Sequence, residues 1–447
     1  MNEREFARDV VRKLREAGYE SYWAGGCVRD QCLGLEPADY DVATSARPEN
    51  VIALFPRSIQ VGIAFGVVEV LGPRPYRVQV ATFRIDGDYT GGRRPDSVSF
   101  CSAKEDALRR DFTINGMFYD PLSDTIIDYV GGRDDLAAGL IRAIGDPVER
   151  FQEDKLRLLR APRFAARFRF AIAPATRQAI IAMADTIRVI SAERITDELH
   201  KMLIDNQRLA ALNFLVELQL LAPVLPELAE LPMQAAGDDP QRCSWPFLLK
   251  IIGQMQPPVW PKPRPISFPL VFAALLHCSG PKSSHQTQGP VPAKRLRQKF
   301  IADLCQRLRI SNQEKQSIEW LVLNQEALNN ARSLPFSTLK PILSHSGIGE
   351  LLSLHQACAL ARGHGNDDVE YCLDVLRTLP PERVNPPPLV TGYDLQALGM
   401  RPGPDLRRYL AAVRDDQLNE MIASKEEALD LVQKWLYRDS QTPHITE

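Results

Sequence analysis

The apolar pattern of this chain changes once, near Pro147. Before it, glycine and β-branched residues are frequent and short strand-like runs recur. From about residue 150 onward helix-period patterns dominate and strand signals are few. Such a chain folds as an α+β protein, with a small mixed sheet first and helices after it. Phe6, Val10, Val11 and Leu14 are spaced for one helix face, and Gly18 ends that helix. Tyr22-Trp23-Ala24 reads as a strand. So do Val67–Leu71 and Arg77–Phe83, with Gly72-Pro73-Arg74-Pro75 as the hairpin turn between them. Three stretches interrupt the helical part: the Pro-rich 256–268, the polar 279–293, and 380–388, which reads as a linker before a last helical unit. The chain contains no internal repeat.

At roughly 100–200 residues per domain, 447 residues accommodate about two to four domains. Lys and Arg total 54 against 56 Asp and Glu, which excludes a globally basic nucleic-acid binder. A polyanionic partner must then be held by local basic patches. No run reaches the roughly 18 apolar residues of a membrane span, and the charged, amphipathic start lacks the apolar core of a secretory signal. The eight cysteines are scattered without a Cys-x-x-Cys pair, which fits a reducing compartment and no zinc site. The expectation is a cytoplasmic protein with no membrane partner.

The strongest chemistry lies in WAGGCVRDQCLGLEPADYDVATS. Asp39 and Asp41 flank Tyr40, and in a strand residues i and i+2 point to one face. Two carboxylates projecting together repel unless a divalent cation sits between them. Acids that bridge paired Mg²⁺ ions are the arrangement for phosphoryl or nucleotidyl transfer. Upstream, Gly25 and Gly26 let backbone amides approach an anion, and Arg29 supplies a charged phosphate clamp.

GGCVRDQCLG followed by DYDVAT resembles the signature of the nucleotidyltransferase family of class II CCA-adding tRNA nucleotidyltransferases and bacterial poly(A) polymerases. Further segments resemble that family's motifs in order: ALRRDFTINGMFYD (107–120), the hinge motif DYVGGRDDL (128–136), the nucleotide-selection helix EDKLRLLRAPRFAARF (153–168), and SAERITDEL (191–199). The resemblance covers residues 21–200 almost continuously. It implies a polymerase-β-like catalytic head over 1–145 and a helical neck over 146–205. A helical body over 206–380 and a helical tail over 381–447 that contacts tRNA complete the architecture.

The resemblance also implies an activity: Mg²⁺-dependent, template-independent addition of C and A from CTP and ATP to the 3′ end of tRNA, with release of pyrophosphate. Asp39 and Asp41 are then the metal ligands. Gly25, Gly26, Arg29 and Arg110 contact phosphates, and Asp111 joins the catalytic set as an orienting residue. With no nucleic-acid template, protein must recognise the base. Asp154 and Arg157, three apart on a helix, share a face. An Asp accepts from the exocyclic amine of C or A and an Arg donates to ring acceptors. U and G leave those groups unpaired, at roughly 1–3 kcal/mol per lost contact. By resemblance Asp154 and Arg157 are this pair, Glu153 orients the arginine, and Arg160 and Arg163 continue the basic stripe.

Two positions depart from the family pattern. Gln79 stands where many relatives place an acid, so a third metal-facing charge is absent. Pro162 removes a hydrogen bond from the arginine helix, and a kink there displaces Arg163 from Arg157. A third feature bears on an appended phosphohydrolase: His277 is followed by Cys278 rather than Asp, so a second metal site is not expected.

Among family activities, the Gly/Asp-rich stretch 84–100 resembles the loop associated with switching from C to A, which argues against CC-only addition. A-only addition remains an alternative. The segment 389–413 resembles the CCA-adding tail and argues against poly(A) synthesis, the other alternative. A basic run over 294–315 and Arg401 ahead of the tail helix are candidate RNA contacts. The rival from another class is a non-catalytic RNA-binding protein, supported by Gln79 and opposed by Asp39 and Asp41.

Overall fold

The computed structural model describes residues 2–62, 66–86, 98–231, 244–279 and 293–441. They form two compact units: Met1–Glu230 with Arg307–Arg309, and Leu231–Gln306 with Ile310–Glu447.

The first unit opens with the helix Glu3–Glu16, started by a capping box between Asn2 and Glu5. Its face of Ala7, Val10, Val11 and Leu14 is buried against the sheet, which contributes roughly 1.5–3 kcal/mol for each large side chain. The strands are β1 (Ser21–Ala24), β2 (Asp41–Thr44), β3 (Ser58–Gly62), β4 (Val67–Leu71), β5 (Arg77–Thr82), β6 (Arg84–Asp86), β7 (Val98–Phe100), β8 (Phe118–Asp120) and β9 (Thr125–Ile127). Seven of them form one sheet in the order β3-β4-β5-β2-β1-β8-β9, while β6 and β7 pair separately. Neighbours in the large sheet run antiparallel except β2 and β5, which are parallel. A parallel pair needs a crossover, and the helix Pro48–Leu54 with β3 and β4 supplies it.

Alternation then sorts the side chains. Val42, Val78 and Val80 point to one face and are buried. Asp41, in register with Gln79, belongs to the other face, where Ala24, Ala43, Phe83 and Phe118 form an apolar cluster with Ala103 and Ala107.

The predicted strands and the first helix are present, with the hairpin pairing Leu71 opposite Arg77. Three local expectations need correction. Asp39 precedes β2 rather than lying in it, so only Asp41 of the pair is a strand residue. Residues 153–157 are not one helix turn: the helix Pro147–Glu153 stops, Asp154 is extended (φ −139°, ψ 102°), and a second helix runs Arg157–Phe168. The cause is Asp154 itself, whose Oδ1 accepts from the Leu156 amide at 3.0 Å and competes with helix continuation. Third, the helix Arg157–Phe168 is continuous across Pro162.

Pro174–Met183, Ala192–Ile204 and Arg208–Glu217 extend the helical part of the first unit. Among the described residues, Ala171–Ile172 is the one strand beyond residue 145; it pairs in parallel with Leu140–Ile141. The second unit is helical. Phe268–Leu275 is apolar nearly all round and buried, as such a helix must be. Gly392–Ala397, Pro404–Leu418 and Lys425–Gln441 share a core of Val390, Leu395, Leu406, Tyr409, Val413, Ala428 and Val432. No helix among the described residues is long and apolar enough to cross a membrane. Most of the stretch 84–100 and of the polar stretch 279–293 lies outside the described residues.

Candidate active site

β1 ends at Ala24, and Gly25 turns the chain into the short helix Gly26–Cys32. Gly25 has φ +72°, which a side chain rarely tolerates, and a Cβ there would stand 3.3 Å from Arg110 Nη1. The glycine therefore brings bare backbone against an arginine. Asp41, at the start of the neighbouring strand, opens on the same cavity. This cavity measures about 430 Å³, and its lining includes Arg29, Arg109, Arg110, Arg157, Arg160, Arg163 and Arg167 against Asp41, Asp111 and Asp154. Seven guanidinium groups facing three carboxylates make a site for a polyanion.

Asp41 is exposed toward the cavity it lines. Loss of hydration, then repulsion from Asp39, pushes its carboxyl up to about 6, and Arg110 pulls the opposite way. Arg110 is aimed by Asp106: its Nη2 donates to Oδ2 at 2.9 Å, and its guanidinium lies 5.0 Å over the Phe118 ring. Arg109 donates to the other oxygen of the same carboxylate at 2.7 Å.

Deeper in the wall, burial would raise Asp111. Arg160, whose Nη2 stands at 2.7 Å, and hydrogen bonds from Asn115 and the Phe112 amide overcome that and hold it at about 2. Asn115 also accepts from Arg29 Nη1 at 2.6 Å. Arg29 is buried, paired with Asp30 and placed over Phe164 and Phe168. Its outer Nη2 stands 3.6 Å from where a Cβ on Gly26 would lie.

At the other end of the cavity Glu153 takes Arg157 Nη1 at 2.7 Å and Arg150 at 2.8 Å. Arg157 also donates to the carbonyls of Arg150 and Arg109, so its guanidinium is fixed from three directions. Arg163 Nε donates to the buried Glu198 at 2.5 Å.

Of the residues named from sequence, Gly25, Gly26, Arg29, Asp41, Arg110, Asp111, Asp154, Arg157, Arg160 and Arg163 line this one cavity. Asp39 and Glu153 are not in the lining; each acts on a residue that is, Asp39 on Asp41 and Glu153 on Arg157. Sequence reasoning missed Asp106, Asn115, Arg194 and Glu198. Asp106 and Asn115 sit inside the 107–120 motif or one residue before it, and Arg194 and Glu198 inside 191–199, so motif membership was the available signal.

Among the described residues no cluster of three or more His, Cys, Asp or Glu is arranged to hold a metal. The pair Asp39 and Asp41 nonetheless fits Mg²⁺. It is a hard oxygen donor set whose mutual repulsion Arg110 offsets only in part, and Mg²⁺ takes one or two protein carboxylates and completes its shell with water and phosphate. Gln79, opposite Asp41 across the parallel ladder, adds an amide and no third charge. In the second unit His277 is buried and accepts from Arg362 at 3.1 Å. Loss of hydration, with Arg362 and Arg297 nearby, lowers it to about 4.

A sheet that carries Asp41, with Asp39 just ahead of the strand, beside an arginine-lined cavity is the arrangement of a polymerase-type nucleotidyltransferase head. Residues 21–142 match the model of the poly A polymerase head domain, and 169–231 match the probable RNA and SrmB-binding site of polymerase A. A CCA-adding enzyme of Geobacillus stearothermophilus is 43% identical over 243 residues, 54% of this chain and 59% of that protein. One from Levilactobacillus brevis is 46% identical over 200 residues, 44% and 50% of the two chains. The chain thus matches little more than half the length of these relatives. The crystal structure of the Bacillus stearothermophilus CCA-adding enzyme in complex with CTP superposes with a TM-score of 0.76 at 28% identity, covering 99% of this chain and 100% of that one. Over its first half this chain is similar in sequence to CCA-adding enzymes, and over nearly its whole length it is similar to one of them in fold.

Proposed function

We propose that this chain adds C and A from CTP and ATP to the 3′ end of tRNA in the cytoplasm, without a nucleic-acid template and with Mg²⁺ held by Asp39 and Asp41. The observation that carries this reading is that Asp41, Arg110, Asp154 and Arg157 line one cavity. A carboxylate for the reacting phosphate, cations for the triphosphate and a donor–acceptor pair for a base are thereby within reach of a single nucleotide. The names of the relatives, CCA-adding enzymes, support the same substrate class.

In the reaction the 3′-oxygen of tRNA attacks the α-phosphorus, the bond to the β-phosphate oxygen breaks, and pyrophosphate leaves. When bound, Mg²⁺ supplies positive charge at the attacking and leaving oxygens. Asp39 and Asp41 orient toward that charge. Arg110, fixed by Asp106, binds the triphosphate, and Arg109 hangs from the same carboxylate. Asp111, locked by Arg160 and Asn115, sets the wall on which the sugar rests. Asp154 accepts from the exocyclic amine of C or A, and Arg157 donates to ring acceptors. The head (1–145) and neck (146–205) hold the chemistry, and the body (206–380) and tail (381–447) hold tRNA. Lys294, Arg295 and Lys299 are exposed for that purpose, whereas Arg307 is forked onto Glu227.

The test is extension of tRNA transcripts ending at the discriminator base, at C and at CC, with CTP, ATP or both. Completion of all three to CCA and then a stop is expected. Extension of the CC-ended transcript alone means an A-adding enzyme, long A-ladders mean a poly(A) polymerase, and no extension sinks the catalytic reading.

A further inference from the structure

The Pro-rich stretch 256–268, which the catalytic reading leaves unused, borders a separate cavity within the second unit. This cavity measures about 330 Å³. The helix Asn312–Asn324 contributes Trp320 to its lining, and the turn between the helices Phe336–Leu343 and Ile348–Ala361 contributes His345 and Gly347. The two rings are stacked, with centroids 3.8 Å apart and planes 9° from parallel. A Cβ on Gly347 would stand 3.1 Å from the Trp320 ring and 3.2 Å from His345 Nδ1, so the glycine leaves room for the pair. The Gly347 amide donates to Nδ1 at 3.0 Å, which puts the imidazole proton on Nε2. Loss of hydration lowers His345 below its usual 6.5, so the ring is neutral at pH 7. His345 is exposed and Trp320 is half-buried, so the imidazole is the open end of the stack.

The rest of the lining selects what can stack there. The Pro-rich stretch supplies Arg264, whose Nη2 donates to the Trp260 carbonyl at 3.4 Å and whose amide donates to the Pro258 carbonyl at 3.0 Å. It also supplies Ser267, whose hydroxyl donates to Oε1 of Glu350 at 2.6 Å and anchors that carboxylate in the lining. Among the described residues the lining holds one guanidinium and two carboxylates, Glu314 and Glu350. Their net charge disfavours a phosphate, and Arg264 disfavours a cation. A neutral planar ring with acceptors on one edge and donors on the next satisfies all of these groups. Guanine is such a ring: O6 and N7 accept from an arginine, and N1–H and the N2 amine donate to a carboxylate. We propose that this cavity binds a guanine base, stacked on His345 and read by Arg264 and Glu350. The base belongs to a free guanine nucleoside or to an unpaired guanosine of an RNA chain. Adenine carries an amine in place of O6 and turns a donor toward Arg264. The site makes no use of Asp41, Asp154 or Arg157, so it stands or falls apart from the catalytic reading.

The experiment titrates the full chain with guanosine, which carries no phosphate, and with single-stranded uridine pentamers holding one central guanosine or one central adenosine. Tryptophan emission and equilibrium dialysis are followed together. The chain has five tryptophans, and Trp320→Phe, which keeps a ring beneath His345, identifies the one that responds. Guanosine and the guanosine pentamer are expected to change wild-type emission, and the adenosine pentamer to bind about tenfold more weakly than the guanosine pentamer. Trp320→Phe should keep the dialysis Kd within about threefold and lose the emission change. His345→Ala should raise the Kd about tenfold, and Arg264→Gln should bring the two pentamers within about threefold of each other. His345 and Arg264 are exposed, so both variants fold. A Kd for the guanosine pentamer at least about tenfold below that of guanosine assigns the site to RNA, and any smaller difference assigns it to the free nucleoside. No emission change with either ligand, or a change that survives in Trp320→Phe, overturns the site. Wild-type binding in both His345→Ala and Arg264→Gln overturns it as well. Equal binding of the two pentamers to wild type overturns guanine as the base.

Discussion

Among the described residues of the first unit ten charged side chains are buried: Arg29, Asp30, Asp106, Asp111, Asp120, Asp135, Arg157, Arg163, Glu198 and Arg208. In the second unit, among the described residues, the one buried Lys, Arg, Asp or Glu is Lys340. The two units share an apolar interior of ordinary kind, so the difference is not a matter of available core. Burying a charge costs several kcal/mol unless it is paired and hydrogen-bonded, and a buried pair is rarely better than apolar residues of equal volume. Seven of the ten, Arg29, Asp30, Asp106, Asp111, Arg157, Arg163 and Glu198, line the cavity or hold a residue that does. The first unit thus bears an electrostatic cost where a polyanion must be held in fixed geometry. The second, whose surface charges stay in solvent, has no such requirement.

The largest effect that tests this contrast is at Asp41. Asp41→Asn should reduce nucleotide addition by at least about 10³-fold while leaving tRNA binding near wild type, because a neutral amide cannot replace a metal-holding carboxylate. Its effect on stability has the opposite sign. The folded-state value of Asp41, about 6, lies above the usual 3.8. Ionising it therefore destabilises the metal-free fold, progressively as pH rises from about 4 through about 6. Without Mg²⁺ at pH 7.5 the variant should melt above wild type. Added Mg²⁺ should raise the wild-type Tm and not that of the variant. A wild-type Tm unmoved by Mg²⁺, or retained turnover in the variant, breaks the assignment of Asp39 and Asp41.

Asp111 is next. It is buried, held at about 2 against a usual 3.8, and faces Arg160 at 2.7 Å. Asp111→Asn leaves Arg160 beside a neutral partner, and a loss of about 3 kcal/mol is expected in urea unfolding at pH 7. The folded-state value is depressed, so the carboxylate's contribution is fully present above about pH 4 and lost as pH falls through about 2. The variant and wild-type stabilities should converge at the acid end. A constant gap from pH 7 to pH 2 would mean that lost packing, not charge pairing, explains the cost.

The same contrast explains what was legible in the sequence. The Asp39–Asp41 pair, the glycines where β1 turns into the Gly26–Cys32 helix and the 107–120 motif are local patterns, and of the residues they named all but Asp39 line one cavity. The order of the large sheet was not legible, because the parallel pairing of β2 with β5 depends on a crossover rather than on either strand's own pattern. The partners that fix the site were missed for a similar reason. Asn115 meets Arg29 from 86 residues away, and Glu198 meets Arg163 from 35 away. Neither separation leaves a periodic trace. The break at Asp154 was misread as helix because charge spacing cannot show that an Asp will bond its own backbone. Pro162 was expected to kink a helix that runs through it. In the second unit helix period was plain, but which helix packs on which was not.

Lys340 sharpens the comparison from the other side. Its ammonium donates to the Leu418 carbonyl at 2.9 Å and to Glu420 at 3.0 Å, and it lies 4.8 Å from the Phe336 ring centroid. Arg383 also reaches Glu420, at 2.7 Å, so that carboxylate keeps a partner when the lysine goes. Lys340→Met retains volume and apolar contact and leaves one helix-end carbonyl without its donor. A cost of about 1 kcal/mol is expected from the shift of the urea midpoint, below that of Asp111→Asn. A cost above about 3 kcal/mol would place a second site of essential charge burial in the helical unit.

The smallest effect on folding should come from the exposed basic residues of the Ala293–Arg307 helix. Arg295 is exposed there, and surface substitutions away from caps and buried pairs usually fall within about 0.5 kcal/mol. Arg295→Ala should leave the Tm unchanged. Its effect should appear in tRNA binding measured across a salt series. Each phosphate contact contributes about 0.7–0.9 to the slope of log K against log salt, so removing one should flatten the slope by about that amount. At high salt the variant and wild type should bind alike, because the lost term is ion release and not shape. An unchanged slope would remove this helix from the tRNA surface. A changed slope joined to a lower Tm would mean that Arg295 supports the fold, and that the second unit keeps more of its charge for stability than its burial pattern indicates.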